Sequence, residues 1–62
     1  MGQFDLWKLR DAMRVTGLSR ASIYRLEKLG QFPQRVRLSE RSVAWRSDEI
    51  MRWVSERPRA GA

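Results

Sequence analysis

The sequence has no cysteine and no histidine. Disulfide bonds are therefore impossible, which removes the usual support of small secreted domains. Structural zinc sites depend on the same two residue types, so a zinc-stabilised fold is not expected. Catalysis by a Ser-His or Cys-His pair is excluded for the same reason. The fold must depend on packing, for which three Trp, two Phe and one Tyr supply large apolar surfaces.

Long apolar runs are also missing. No stretch approaches the roughly 18 apolar residues of a membrane span, and the first residues lack a signal-peptide core. A chain of 62 residues has room for one domain. Such a domain buries only about 60% of its unfolded surface, which leaves no room for a deep catalytic pocket. We expect a soluble, cytoplasmic protein that is not an enzyme, with one domain over residues 1–58 and a frayed tail over 59–62.

Positive charge is concentrated in the middle of the chain. The 13 Lys and Arg exceed the 7 Asp and Glu, which gives a net charge of +6. Seven cations against two acids give residues 19–46 a net charge of +5. A localised cationic surface attracts a polyanion, either nucleic acid or an anionic membrane surface. The alternative is a solvated surface whose charge only maintains solubility.

Two short helices joined by a tight turn are predicted in the first half of the chain. The apolar stripe of the first helix has i, i+3, i+4 spacing and consists of Leu9, Ala12 and Met13. Gly17 is suited to end this helix, and Ser19 is suited to cap a second helix over residues 20–29. Two helices joined by a short turn that contains Gly form the helix-turn-helix pattern.

The second helix has two different faces when its side chains are placed at about 100° per residue. Its apolar arc consists of Ile23, Leu26 and Leu29. The opposite side consists of Ala21, Tyr24, Arg25 and Lys28, with Arg20 near its edge. One face suits a core and the other is cationic, which favours a DNA-binding helix-turn-helix over an ordinary corner between two helices.

A small β-hairpin is predicted next. Residues 35–38 and 42–46 alternate polar and apolar side chains, as half-buried strands do, and the predicted loop over residues 39–42 shares Ser42 with the second strand. In this arrangement Arg37 points away from the apolar face formed by Val43 and Trp45.

A third helix is predicted at the end of the domain, with Ser47 as its N-cap and Pro58 beyond its end. Each helix alone is too short to be stable in water, so the elements must share one core. The predicted core consists of Leu9, Met13, Leu18, Ile23, Leu26, Phe32, Val36, Val43, Trp45, Ile50 and Trp53. The predicted fold class is mainly α with a small β-hairpin, a winged helix-turn-helix in the order helix, turn, helix, hairpin, helix.

Several segments, taken in order, resemble a known family. Residues 13–26 read MRVTGLSRASIYRL, and residues 30–33 read GQFP. They are followed by VRL at residues 36–38 and VAWR at residues 43–46. Together these segments resemble the AlpA family of small prophage regulatory proteins, and the resemblance covers about residues 6–57.

The resemblance implies a winged helix-turn-helix fold related to the MerR and excisionase groups. It also implies a DNA-binding regulator encoded on a prophage or other mobile element, which acts on promoters of integration genes or directs an integrase as an excision factor. By position, residues 19–28 match the family's recognition helix and residues 36–46 match its wing. Many members have Gly near the wing tip and before the Trp, where this chain has Ser39 or Glu40 and Ala44.

We therefore predict a sequence-specific double-stranded DNA-binding protein, with the helix over residues 20–29 in the major groove and the wing over residues 35–46 on the minor groove. Arg20 is the first choice for a base contact, because it begins the helix and Arg suits the guanine edge. The candidate DNA-binding residues are Ser19, Arg20, Ala21, Ser22, Tyr24, Arg25, Lys28, Arg37 and Arg41.

Some of these residues have a second interpretation. Ser19 serves first as a helix cap, and Tyr24 either donates its hydroxyl to a phosphate or packs as a structural residue. Arg37 and Arg41 either enter a narrow minor groove or are exposed hairpin charges.

Residues elsewhere are assigned to the fold. Trp45 and Trp53 match apolar faces and are assigned to the core, not to base stacking. Asp48 and Glu49 are predicted to be helix-start charges and not a metal site, and no metal or cofactor is expected.

The expected partners, besides DNA, are further copies of the chain on repeated sites, an integrase or RNA polymerase. No membrane partner is expected. The alternative function is a protein-interaction module, such as an anti-repressor that does not bind DNA directly.

Overall fold

The computed structural model describes residues 2–61 and contains three α-helices and a three-stranded antiparallel sheet. In chain order, the elements are β1 (Leu6–Trp7), α1 (Leu9–Thr16), α2 (Arg20–Lys28), β2 (Val36–Ser39), β3 (Ser42–Arg46) and α3 (Ser47–Ser55). The arrangement is that of a winged helix-turn-helix, in which β2 and β3 form the wing. The predicted fold class is confirmed, and the sheet has one strand more than the predicted hairpin.

The turn between α1 and α2 is fixed by hydrogen bonds. Gly17 has a φ of 74°, which glycine adopts easily, and its N–H donates to the Met13 carbonyl oxygen at 2.8 Å. The Thr16 hydroxyl donates to the Ala12 carbonyl oxygen at 2.7 Å and accepts from the Leu18 N–H at 3.2 Å. The prediction that Gly17 ends the first helix is confirmed.

The strand β1 is the element that the sequence did not indicate. It pairs antiparallel with β3, with Leu6 opposite Arg46 and Trp7 opposite Trp45, so β3 is the central strand. Two residues are too few to show the alternation that identifies a strand in a sequence. The pairing attaches the N-terminal segment to the wing.

Ser47 does not cap α3, so that prediction is wrong. The N-cap is Arg46, and Ser47 is the buried first residue of α3. The Ser47 hydroxyl accepts from the Asp5 N–H at 2.7 Å, and the Ser47 N–H donates to the Asp5 carbonyl oxygen at 2.9 Å. The side chain is engaged by the segment before β1, which leaves it unable to act as a cap.

The core lies where the helices meet the sheet, and Trp45 on the central strand is its largest side chain. The Trp45 Nε1–H donates to the Pro33 carbonyl oxygen at 3.0 Å. The predicted core residues that are buried are Ile23, Phe32, Trp45 and Ile50. The predicted core residues that are half-buried are Leu9, Met13, Leu18, Leu26, Val36, Val43 and Trp53.

Two predicted faces differ from those observed. Leu29 follows the last residue of α2 as its C-cap and is 61% exposed, so it does not belong to the apolar arc. The sheet register sets Arg37 opposite Val43. Residues opposite each other in an antiparallel pair share one face, so the prediction that Arg37 points away from the face of Val43 is wrong. Arg37 is nevertheless exposed.

The wing tip needs no glycine. Within residues 2–61 positive φ angles occur only at glycines, so Ser39 at the end of β2 and the turn residues Glu40 and Arg41 all have negative φ. Ala44 is fully buried in the central strand. The departures from the family pattern at these positions therefore leave the wing intact.

The difference in burial between Ile23 in α2 and Leu29 at its C-cap predicts that substitutions at the two positions change stability by different amounts. Ile23→Val removes one methylene from a fully buried side chain and should lower the free energy of unfolding by about 0.5–1.5 kcal/mol. Leu29→Ala should change it by no more than about 0.5 kcal/mol, because the side chain is exposed. Urea unfolding followed by circular dichroism measures both values. Equal losses would contradict the observed orientation of α2.

Candidate functional site

The N-terminus of α2 is capped as predicted. The Ser19 hydroxyl accepts from the Ser22 N–H at 3.1 Å and donates to the Ser22 hydroxyl at 3.0 Å. This cap satisfies one of the backbone donors that a helix start leaves without a partner. It also fixes the position of Arg20 and Ala21, which follow immediately and are exposed.

The two faces of α2 differ sharply in burial. Ile23 and Glu27 are buried on one face, and Tyr24 and Ser22 are half-buried between the faces. The exposed candidate residues of the helix are Arg20, Ala21, Arg25 and Lys28. The helix therefore presents a cationic surface to solvent, with the small side chain of Ala21 beside it.

The cations of α2 are not neutralised by acids. Within residues 2–61 the ion pairs are Arg14–Asp11 at 3.6 Å, Arg35–Glu27 at 3.6 Å, Arg46–Asp48 at 2.8 Å and Arg52–Glu56 at 3.8 Å. Arg20, Arg25 and Lys28 belong to none of these pairs. Exposed ion pairs contribute little to stability, but they cancel charge locally. The uncompensated charge of the domain therefore includes all three cations of α2.

The wing also carries uncompensated cations. Arg37 and Arg41 are exposed and belong to no ion pair within the described part of the chain. One guanidinium nitrogen of Arg37 donates to the Glu40 carbonyl oxygen at 3.1 Å, which directs this side chain toward the wing tip.

Tyr24 lies between the core and the cationic surface. Its ring centroid is 6.4 Å from that of Trp45, and the guanidinium carbons of Arg20 and Arg35 lie 5.9 and 5.0 Å from it. Aromatic rings attract cations over their faces at such distances. The Tyr24 ring therefore packs near the core residue Trp45 and also contacts two arginines.

Arg35 is a residue of this surface that the candidate set from the sequence omitted. The buried Glu27 carboxylate accepts from the Arg35 N–H at 2.8 Å and forms an ion pair with its guanidinium at 3.6 Å. The Glu27 carbonyl oxygen accepts from the Gln34 side-chain amide at 3.0 Å. A signal for this contact was present, because Glu27 falls one helical turn after Ile23 on the buried face. A carboxylate there needs a cationic or hydrogen-bonding partner.

Lys8 and Arg10 are further cations that sequence reasoning did not include. The Lys8 ammonium donates to the Ser42 hydroxyl at the start of β3. Lys8 and Arg10 line one shallow depression together with Arg41 of the wing tip. No sequence signal connects these positions, because their proximity depends on the unrecognised pairing of β1 with β3.

Four of the nine candidate residues line two separate depressions and do not share one pocket. Arg20, Tyr24 and Lys28 line a depression with Arg35 on the α2 side. Arg41 lines a different depression with Lys8 and Arg10.

The tryptophans belong to the fold, as predicted. Trp45 is fully buried, and Trp53 is half-buried with its Nε1–H donating to the Gln31 carbonyl oxygen at 2.7 Å. The Phe32 ring meets Trp53 edge to face at a centroid distance of 4.9 Å. Neither indole forms an exposed platform for stacking a base.

Asp48 serves the start of α3. Its carboxylate accepts from Arg46 at 2.8 and 3.2 Å and from the Glu49 N–H at 2.9 Å. These hydrogen bonds stabilise the ionised form, so Arg46 lowers the pKa of Asp48 below its ordinary value. The prediction that Asp48 and Glu49 are helix-start charges is confirmed by their position in the first turn.

Fold and charge together define a small winged helix-turn-helix protein whose second helix presents uncompensated cations. Within this class the chain belongs to the AlpA family of prophage regulatory proteins. The family described as Prophage CP4-57 regulatory protein (AlpA) matches residues 5–58, nearly the whole chain. The resemblance seen in the sequence motifs is confirmed.

A relative from Enterobacteria phage P4, named uncharacterized protein ORF88, is 38% identical over 50 residues. The alignment covers 81% of this chain and 57% of the relative, so the chain spans little more than half of that protein's length. Within residues 2–61 no helix has the length and apolar character needed to cross a membrane.

The contact between Asp48 and Arg46 predicts a pH-dependent contribution to stability. The Asp48 pKa is lower in the folded chain than its ordinary value of 3.8, so the contribution is complete at neutral pH and disappears as the pH falls through the folded pKa. Asp48→Asn should therefore destabilise the chain at about pH 7, and its effect should be smaller at about pH 3, which lies below the ordinary pKa of Asp48.

Urea unfolding of the wild type and of Asp48→Asn at both pH values measures this contribution. In an Arg46→Gln background the pH dependence of the difference should largely vanish. A difference that grows as the pH falls would contradict the assigned direction of the pKa shift.

Proposed function

We propose that the chain is a double-stranded DNA-binding regulator of a prophage or related mobile element. In this proposal α2 enters the major groove and the wing of β2 and β3 follows the adjacent minor groove, with residues 1–58 as one DNA-binding domain. The observation that carries the proposal is that Arg20, Arg25 and Lys28 of α2 and Arg37 and Arg41 of the wing belong to no ion pair within residues 2–61, whereas Arg14 of α1 and Arg52 of α3 do.

The charge distribution supports attraction to the DNA backbone. The proposed contacts with an uncompensated charge are Arg20, Arg25, Lys28, Arg37 and Arg41. Each phosphate neutralised by a cation releases condensed counterions, which favours binding and makes it sensitive to salt. Cations already paired with acids on the same protein would contribute less to this term.

The position of each side chain along α2 supports a division of roles. Arg20, next to the capped N-terminus, is the proposed base-reading residue, because the first turn of a recognition helix reaches the base edges. Ala21 is exposed and small, which permits close approach and contact with a thymine methyl group. Arg25 and Lys28 lie further along the helix and are proposed to contact phosphates. Ser19 and Ser22 hold the helix start in place.

The wing supports a second contact. Arg41 at the tip and Arg37 beside it are proposed to follow the minor groove, whose negative potential attracts Arg. Lys8 and Arg10 extend the cationic surface next to Arg41.

The proposed biological role is regulation of transcription, of site-specific excision, or of both, in the cytoplasm of a bacterial host. The family relationship supports a regulatory role. One short helix reads only a few base pairs, so several copies are proposed to bind repeated sites. RNA polymerase or an integrase is the proposed protein partner, the integrase in the case that the chain acts as an excision factor.

Salt dependence tests DNA binding directly. With about five phosphates neutralised, the slope of log affinity against log salt should be about −4 to −5 on a duplex of mixed sequence. Fluorescence anisotropy between about 50 and 200 mM salt measures the slope. If the anisotropy shows no binding of duplex DNA at low salt, the proposal is wrong, and an anti-repressor that binds only protein is favoured.

Arg20→Ala tests the base-reading role. It should weaken sites selected from a random duplex pool more than it weakens unselected duplex, by about 1–3 kcal/mol of discrimination. Arg52→Ala is the matched control, since Arg52 lies on α3 in an ion pair with Glu56. Equal weakening of selected and unselected DNA by Arg20→Ala would show that Arg20 contacts a phosphate instead.

A further inference from the structure

We infer that the depression around Tyr24 is a binding site for one DNA backbone phosphate, with Arg35 as a direct ligand. This inference rests on the proposed DNA-binding function. It adds a residue outside α2 and outside the wing strands, on the segment that connects them. The depression is lined by Arg20, Tyr24, Glu27, Lys28, Gln34 and Arg35.

The charge of the depression favours an anion. It contains three cations and one carboxylate, and that carboxylate is buried beneath Arg35. Within residues 2–61, Arg20 and Lys28 have no acidic partner. Cations confined to one depression repel each other, and a bound anion relieves that repulsion. A contact that served only to neutralise Glu27 would need one cation, whereas the depression also contains Arg20 and Lys28.

Arg35 is held in place but is not fully engaged. Glu27 accepts from its backbone N–H and lies 3.6 Å from one guanidinium nitrogen. The side chain remains 42% exposed. A guanidinium has five N–H donors in a fixed planar arrangement, so one ion pair leaves donors for phosphate oxygens. Glu27 therefore positions Arg35 without occupying all of its donors.

Tyr24 organises the depression from below. Arg20 and Arg35 approach the same ring, at 5.9 and 5.0 Å from its centroid, which restricts where the two guanidinium groups lie. The hydrogen bonds found within residues 2–61 do not include the Tyr24 hydroxyl. This hydroxyl is available to donate to a phosphate, as tyrosines do in protein–DNA interfaces.

The position of this site gives it a specific role. Phosphate contacts fix the orientation of a protein on the duplex and carry no sequence information themselves. A phosphate held between α2 and the chain leading into β2 would set the angle at which the helix enters the groove. The contact made by Arg35 would then strengthen binding to all DNA sequences equally, whereas the contact made by Arg20 would favour particular sequences.

The test compares Arg35→Gln with Arg52→Gln on a fluorescein-labelled duplex of mixed sequence. Both variants remove one ion-paired arginine charge, but only Arg35 lines the depression. Arg35→Gln should reduce the magnitude of the salt slope by about 0.9, the value for one phosphate contact. Arg52→Gln should leave the slope unchanged, and Arg35→Lys should restore most of it. A slope for Arg35→Gln equal to that of Arg52→Gln would overturn the inference.

Two further measurements separate the possible failures. Urea unfolding of each variant shows whether the duplex was added to folded protein, and a titration of the wild type covers the case in which Arg35→Gln is unstable. Titration of ¹⁵N-labelled wild type with inorganic pyrophosphate should shift the amides of Tyr24, Lys28 and Arg35 together. Shifts spread over all cations of the chain would argue against a defined site.

The outcome for the proposed function is read separately. If the wild type fails to bind duplex at low salt, the proposed DNA-binding function is wrong. In that case, pyrophosphate shifts confined to the depression would assign the depression to a small phosphate ligand. That result would overturn the part of the inference that concerns DNA. If the wild type binds duplex and Arg35→Gln behaves like its control, only the phosphate site at Arg35 fails.

Discussion

The burial of Trp45 is the contact on which the rest of the structure depends. The residue lies on the central strand and packs against Tyr24 of α2 and against Phe32, and its indole N–H is bound to the Pro33 carbonyl oxygen. One side chain thus connects the wing, the helix α2 and the segment between them. A domain of this size has a small core, so the relative position of helix and wing depends on this single cluster.

Most of the fold could be predicted because its signals are local. The stripe on α1, the turn at Gly17 and the cap at Ser19 each involve residues within one or two helical turns. Periodicity and capping chemistry detect such features from sequence alone. The exposed cationic face of α2 could be predicted in the same way, because Ile23 identifies the buried side of the helix and the cations lie away from it. The family motifs could also be recognised, since they coincide with these local features.

The parts that could not be predicted depend on distant pairings. The strand β1 forms only because it pairs with β3, some forty residues later in the chain. The hydrogen bond between Asp5 and Ser47 joins residues that are equally distant in the sequence. Lys8 lies beside the wing because of that pairing, and Arg10 lies beside it because α1 contacts β3. Arg35 joins the α2 surface through its contact with the buried Glu27. The helix pattern indicates that this acid needs a partner, but it does not indicate which residue is the partner. Leu29 was misassigned because a helical wheel does not show that the helix has already ended.

The turn between α1 and α2 has a consequence for the energetics of recognition. The Thr16 hydroxyl bonds to backbone groups on both sides of the turn, and the Ser19 cap holds the following helix. Ordering a segment at the moment of binding consumes part of the interaction energy. In the proposed DNA complex, a corner already fixed by these hydrogen bonds would not have to be ordered on binding, so less of the contact energy would be spent on ordering.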